Sequence, residues 1–170
     1  MSKKLQNVHA ILAVDINNGL AKDGKIPWKS KTDLTFFKTQ TTNNVVIMGA
    51  TTLLSLPKGE PLPNRMNIIV TNNYEKYSKV YDKYENICFV NAEQVINIIK
   101  NSYNNKTIFV IGGNQIYNLL MPYCSTVWLT RIKTDYECDL IFNYDLSQFK
   151  KDIIYDDLEL EIMRLDSRFY

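Results

Sequence analysis

The chain has 170 residues, 45% of them hydrophobic and 12% aromatic, which is long enough for one domain with its own core and short for two. Twenty basic and eighteen acidic side chains leave a net charge of +2 with the signs interspersed, excluding the one-sided basic footprint of a nucleic-acid binder. Three cysteines without paired spacing and a single histidine exclude a disulfide framework and a zinc centre, so no metal is expected.

Residues 1–7 carry lysines but no apolar core of signal-peptide length, and no later run is long enough to span a membrane. The expectation is a cytoplasmic monomer with a flexible N-terminus and a small-molecule substrate. Val8 to Val14 is apolar and β-branched and predicts a strand. The polar, glycine-bearing stretch Asn17 to Lys25 then leads to Ile26 and Trp28, a composition that fits a mobile lid over a pocket and equally an ordinary surface loop.

Ser30 or Thr32 can cap a helix over Thr32 to Thr39, which sets Asp33 and Phe37 four residues apart on one face. One carboxylate thus lies among Trp28, Leu34, Phe36 and Phe37. Burial makes the ionised form costly without a partner, so the group is poised to hold a basic heterocycle or to manage a proton. The plain alternative is a solvated acid that the helix dipole favours in its first turn.

Asn44 to Met48 predicts a strand that delivers Gly49, after which Thr51 and Thr52 cap a short turn running to Leu56. Pro61 to Arg65 is a stiff turn presenting one arginine, able to clamp a carboxylate or simply to be solvated. Met66 to Val70 and Ile87 to Val90 predict strands, and Ala92 to Asn101 a helix with Val95, Ile96 and Ile99 on one face. The strand Thr107 to Ile111 runs into Gly112-Gly113 and a helix over Asn114 to Leu120. That joint suits a phosphate, although it is not the usual dinucleotide fingerprint and can serve as a structural turn. After the strand Thr126 to Ile132, Ile153 to Tyr155 and Leu158 to Leu165 predict antiparallel edge strands separated by Asp156-Asp157. The expected fold is α/β: a single domain, 1–170, with a mostly parallel central sheet flanked by helices on both faces.

In order along the chain stand A-V-D-x-N-x-G (13–19), I-P-W (26–28), D-L-x-x-F-K (33–38), V-I-M-G (46–49), P-L-P-x-R (61–65), N-I-I-V (67–70), V-I-G-G (110–113) and L-T-R-I (129–132). From His9 to about Ile132 the chain resembles dihydrofolate reductase, and the spacing from Trp28 to Asp33 is similar to the bacterial and phage branch. The resemblance implies hydride transfer from NADPH to C6 of 7,8-dihydrofolate with protonation at N5, supplying tetrahydrofolate for one-carbon and thymidylate metabolism. It also implies binding of antifolates. Asp33, with Trp28 and Thr130, matches the catalytic group. Ile11, Leu12, Ala13, Phe37, Leu56 and Leu62 match the walls around the pterin and benzoyl rings, and Arg65 the clamp on the glutamate tail. Ala13, Leu20 and Ile111 match nicotinamide neighbours, Thr52 with Gly112 and Gly113 the pyrophosphate site, and Tyr117 a residue at the nicotinamide ribose. Gly49, Thr51, Thr71, Asn72, Asn114, Gln115 and Ile116 complete the implied cofactor set. The resemblance further implies a cis peptide between Gly112 and Gly113.

Several positions depart from that pattern. Ala50 and Gln115 stand where the family usually carries basic residues, and Thr71-Asn72 where it often carries serine followed by serine or arginine, which thins the charge around a 2′-phosphate; NADPH stays the expected cofactor, with NADH possible. Ala21 replaces a usual lid glycine, and a positive φ there would add strain of about 1 kcal/mol. The last twenty residues resemble the family's final hairpin only loosely, leaving the closing strand short or absent. A structural or binding protein on the same fold, like a phage virion component, is the alternative. A pyrimidine reductase of riboflavin synthesis is disfavoured by Pro27-Trp28 with Asp33.

Overall fold

The computed structural model describes residues 3–168. Its parallel strands are the apolar runs: β1 (Leu5–Val14), β3 (Val45–Gly49), β4 (Met66–Val70), β5 (Ile87–Val90), β6 (Ile108–Gly112) and β7 (Cys124–Ile132). They lie in one eight-stranded sheet of order β5-β4-β3-β6-β1-β7-β10-β9, in which β10 (Leu160–Ser167) and β9 (Phe149–Asp156) are antiparallel. The short β2 (Gly19–Ala21) pairs separately with β8 (Leu140–Ile141).

The two-residue period of a strand sorts side chains between two cores. Val8, Ala10, Leu12, Val45, Ile47, Ile68, Ile108 and Val110 enter the larger one, while Ile11, Val46, Met48, Ile69 and Phe109 enter the other. Helices cover both. On the larger core lie α4 (Ala92–Asn101), through Val95 and Ile99, and α5 (Asn114–Leu120), through Ile116, Tyr117 and Leu120. On the other lie α1 (Lys31–Thr41), through Phe36 and Phe37, and α2 (Ala50–Ser55), through Leu53. A parallel sheet covered on both faces leaves its ligand crevice beyond the carboxyl ends of the strands.

Capping explains where the helices begin. The Asp33 N–H donates to Ser30 Oγ at 3.1 Å, so Ser30 and not Thr32 is the N-cap of α1, which starts at Lys31. Asn91 and Gln94 form a reciprocal capping box on α4, each bond 2.8 Å. Gly49 is the N-cap of α2, so Thr51 and Thr52 sit inside the first turn and do not cap it.

A flexible N-terminus was expected over residues 1–7. Residues 1–2 lie outside the described residues, but β1 already begins at Leu5, and Asn7 Nδ2 donates to the Tyr103 and Lys106 carbonyls at 3.2 and 3.1 Å. The closing hairpin is present and long. Its turn lies at Asp157–Glu159, where Asp157 Oδ1 accepts from the Glu159 and Leu160 N–H groups at 2.8 and 2.9 Å, so Leu158 belongs to the turn and not to a strand. Helix α3 (Tyr74–Ser78) was not foreseen, since its polar residues show no apolar period. No helix among the described residues is long and apolar enough to cross a membrane.

Candidate active site

The parallel register of β1 with β7 pairs Ile11 with Trp128 and Ala13 with Thr130, which puts these four side chains on one face beneath α1. The Asp33 carboxyl comes down from α1 toward the same spot. Desolvation raises its pKa above the ordinary 3.8, and a hydrogen bond from the Thr130 hydroxyl works in the opposite direction. Thr130 is itself only 2% exposed. No ion pair among the described residues neutralises Asp33. A half-buried, unpaired carboxylate of this kind favours a ligand edge that brings donors or positive charge.

Trp28 is buried against Ile132, Leu160 and Ile162, with Ala13 and Phe36 beside it, and packs on Tyr136 with ring centroids 5.7 Å apart. Tyr136 is in turn held by Asp15, a residue to which the sequence reading gave no role. The Asp15 carboxylate, fully buried, accepts from the N–H groups of Asn17 (2.9 Å), Gly19 (2.8 Å) and Tyr136 (3.0 Å). Burial raises its pKa, but those amides and the Cys138 thiol outweigh that effect, and the net shift is downward. One acid thus fastens the root of the Asn17–Lys25 loop to the segment after β7. The same loop is tied further along by the Asp23 N–H donating to Asp139 Oδ2 at 3.0 Å. Ala21 sits in β2 and is not among the residues with positive φ, so the strain anticipated there is absent. Space is tight instead at Gly19, where an added Cβ would lie 2.4 Å from Cys138 Cβ. Gly19→Ala is therefore expected to destabilise the fold by roughly 1–3 kcal/mol; equal urea midpoints for variant and parent would refute this.

Of the residues assigned to the apolar walls, Ile11, Phe37, Leu56 and Leu62 join the core beneath α1 and α2, and Ile111, assigned to the nicotinamide, joins the same core. Leu12 does not. Its side chain points to the opposite face and is buried there, because a strand cannot present three successive residues on one side. At the rim, Arg65 is buried; its Nε donates to the Pro63 carbonyl and its Nη1 to Thr41 Oγ1, both at 2.9 Å. Asn67, fully buried, staples that turn: its Nδ2 donates to the Leu62 carbonyl, and its Oδ1 accepts from the Leu62 N–H, both at 2.9 Å. No carboxylate among the described residues pairs with the guanidinium.

On the other side of β1, the Gly112-Gly113 peptide is cis. Gly112 has φ +118, and an added Cβ there would stand 3.2 Å from the Tyr117 hydroxyl. That hydroxyl donates to the Ile11 carbonyl at 2.9 Å, and the phenol is buried, its pKa raised first by desolvation. Tyr117 therefore braces the floor from behind, through the Ile11 carbonyl. Ile116 likewise backs Gly49, whose added Cβ would meet it at 3.2 Å, and Leu20 packs on the larger core. A Cβ on Gly113 would lie 3.8 Å from Thr52 Oγ1, so the Thr52 hydroxyl on α2 and the turn before α5 face each other across a gap. Exposed Thr51 and Gln115 and half-buried Asn114 flank that gap. Its hydroxyl and unencumbered backbone fit a diphosphate. Thr71 and Asn72 lie farther along the same edge, lining a separate cavity of about 430 Å³ with Tyr74, Phe89 and Asn91.

A family profile described as dihydrofolate reductase matches residues 7–156. Dihydrofolate reductase from Bacillus subtilis is 34% identical over 142 residues, covering 82% of this chain and 78% of that protein. The bifunctional dihydrofolate reductase-thymidylate synthase of Paramecium tetraurelia is 33% identical over 138 residues; the match takes in 80% of this chain but 28% of that longer protein. Among solved structures, dihydrofolate reductase from Enterococcus faecalis, complexed with NADP(H) and RAB-propyl, superposes with a TM-score of 0.74 at 26% identity, covering 95% of this chain and 96% of that one. With the desolvated Asp33 carboxyl at Thr130, the cis Gly112-Gly113 turn and these matches together, the chain belongs to the dihydrofolate reductase family.

Proposed function

We propose that the protein reduces 7,8-dihydrofolate to 5,6,7,8-tetrahydrofolate with NADPH as the hydride donor. The observation that carries this reading is the unpaired Asp33 carboxylate, desolvated among apolar side chains and approached by the Thr130 hydroxyl. The pterin's 2-amino group and N3 edge supply the donors that such an acid lacks. Asp33 then holds the ring and biases its charge toward protonation at N5, while water provides the proton. Bound NADPH would supply the hydride; this chain's part is position and field. Ile11, Phe37, Leu56 and Leu62 exclude water around the rings, and Gly49, Thr52 and Gly113 hold the diphosphate. Three cysteines without a disulfide among the described residues suit work in a reducing cytoplasm.

Arg65 is positioned by Pro63 and Thr41 to receive the ligand's carboxylate. Arg65→Leu is expected to raise KM for dihydrofolate roughly 10- to 100-fold with kcat little changed, because that contact is the same in ground and transition states. A fall confined to kcat would contradict the assignment. The reading as a whole is tested by following loss of the reduced-nicotinamide absorbance with purified protein, dihydrofolate and NADPH. Decay that methotrexate abolishes is expected; no decay would remove the proposal.

A further inference from the structure

The carboxyl ends of the parallel strands run in the order β1, β6, β3, β4, β5. Neighbouring strands are about 4.8 Å apart, so this edge extends roughly 19 Å, room for a dinucleotide laid across it. On the reductase reading, on which this inference rests, the nicotinamide must sit by β1 and β6, next to the Asp33 cleft. The diphosphate then lies at Gly113 and Thr52, between β6 and β3. The adenosine end therefore reaches the cavity of about 430 Å³ at the ends of β4 and β5.

That cavity is neutral. Tyr74, Phe89 and Val90 give it apolar surface for a base, and its polar lining is Thr71, Asn72, Asn91 and Gln94, with no lysine, arginine or histidine. Thr71 Oγ1 accepts from the Asn73 N–H at 3.0 Å, and the side-chain oxygens of Asn91 and Gln94 are taken by the capping box. What remains are hydroxyl and amide donors without charge. The first turn of α4 beside them carries Glu93 and no base. On α3, Lys76 is committed over the Tyr77 ring at 5.3 Å. Ala50 at the start of α2 and Gln115 on α5 add no cation.

A 2′-phosphate is close to dianionic near neutral pH, and its preference over a hydroxyl comes from charge-assisted bonds to basic side chains. We infer that this adenosine site is built for a ribose with neutral partners, so the protein accepts NADH with an affinity close to that for NADPH. Bonds from uncharged donors to a phosphate dianion are stronger than those to a hydroxyl, but with no cation beside them they do little more than offset the cost of stripping the dianion of water, which sets the ratio of dissociation constants within about tenfold.

The test is equilibrium titration of the substrate-free protein with NADPH and with NADH, read by quenching of its tryptophan fluorescence at low and at high salt. A ratio of dissociation constants below about tenfold, changing little with salt, is the expected result. Asn72→Arg, or Ala50→Lys should that variant not fold, is expected to raise the NADPH preference at least tenfold and to make it salt-sensitive. Parent protein that binds NADPH more than about tenfold tighter, with the advantage eroded by salt, overturns the inference while leaving the reductase reading intact. Binding of neither nucleotide overturns both.

Discussion

Asp33→Asn is expected to lower kcat near neutral pH by roughly 10²–10³-fold while leaving the fold in place. The amide keeps the size of the side chain but loses the negative charge facing the pterin edge. Activity should recover in part toward acid, where the substrate arrives already protonated. A pH profile of kcat for parent and variant checks this; equal turnover at neutral pH would end the assignment of Asp33. The same substitution should act on stability in the opposite sense. The folded-state pKa of Asp33 is raised above 3.8, chiefly by desolvation, so the neutral carboxyl is the form that the fold favours. Relative to the unfolded chain, the stability linked to that group is fully present below about pH 3.8 and is lost as pH rises through the raised value. Without ligand, Asp33→Asn should thus be more stable than the parent near neutral pH, and the difference should vanish in acid. Urea midpoints measured across that range decide it.

Asp15→Ala should cost the most stability of any single change in the site, roughly 3–5 kcal/mol. The substitution strands the N–H groups of Asn17, Gly19 and Tyr136, which the carboxylate now accepts at 2.8–3.0 Å. Because Tyr136 packs on Trp28, the loosened loop should also raise KM for dihydrofolate. The depressed pKa of Asp15 adds a pH signature: its contribution is present above 3.8 and is lost as pH falls through the lower folded value. A variant that unfolds at the parent's urea concentration, with an unchanged KM, would show that Asp15 is not the fastening point.

The contrast between these two acids shows what local reading reaches. Asp33 was legible because the helix period fixes which residues share its face, and Phe37, one turn on, joins the core beneath α1. Asp15 stood within the A-V-D-x-N-x-G stretch and carried no such mark. One of its partners, the Tyr136 amide, lies 121 residues away, and nothing in the periodicity around Asp15 points to it. Arg65 was recognised as a candidate clamp, but its hold on Thr41 and the stapling of its turn by Asn67 depend on packing across the sheet.

The order of the parallel strands and of helices α1, α2, α4 and α5, the glycine joints at Gly49 and Gly112-Gly113, and the carboxylate at position 33 all follow from the sequence. Each rests on spacing of two to four residues along one element or on the special backbone freedom of glycine. Tertiary structure alone assigned Leu12 to the far core and buried Tyr117 beneath the Ile11 carbonyl 106 residues away. Those outcomes depend on which strands pair and in what register, and register is settled by the summed burial of the whole sheet.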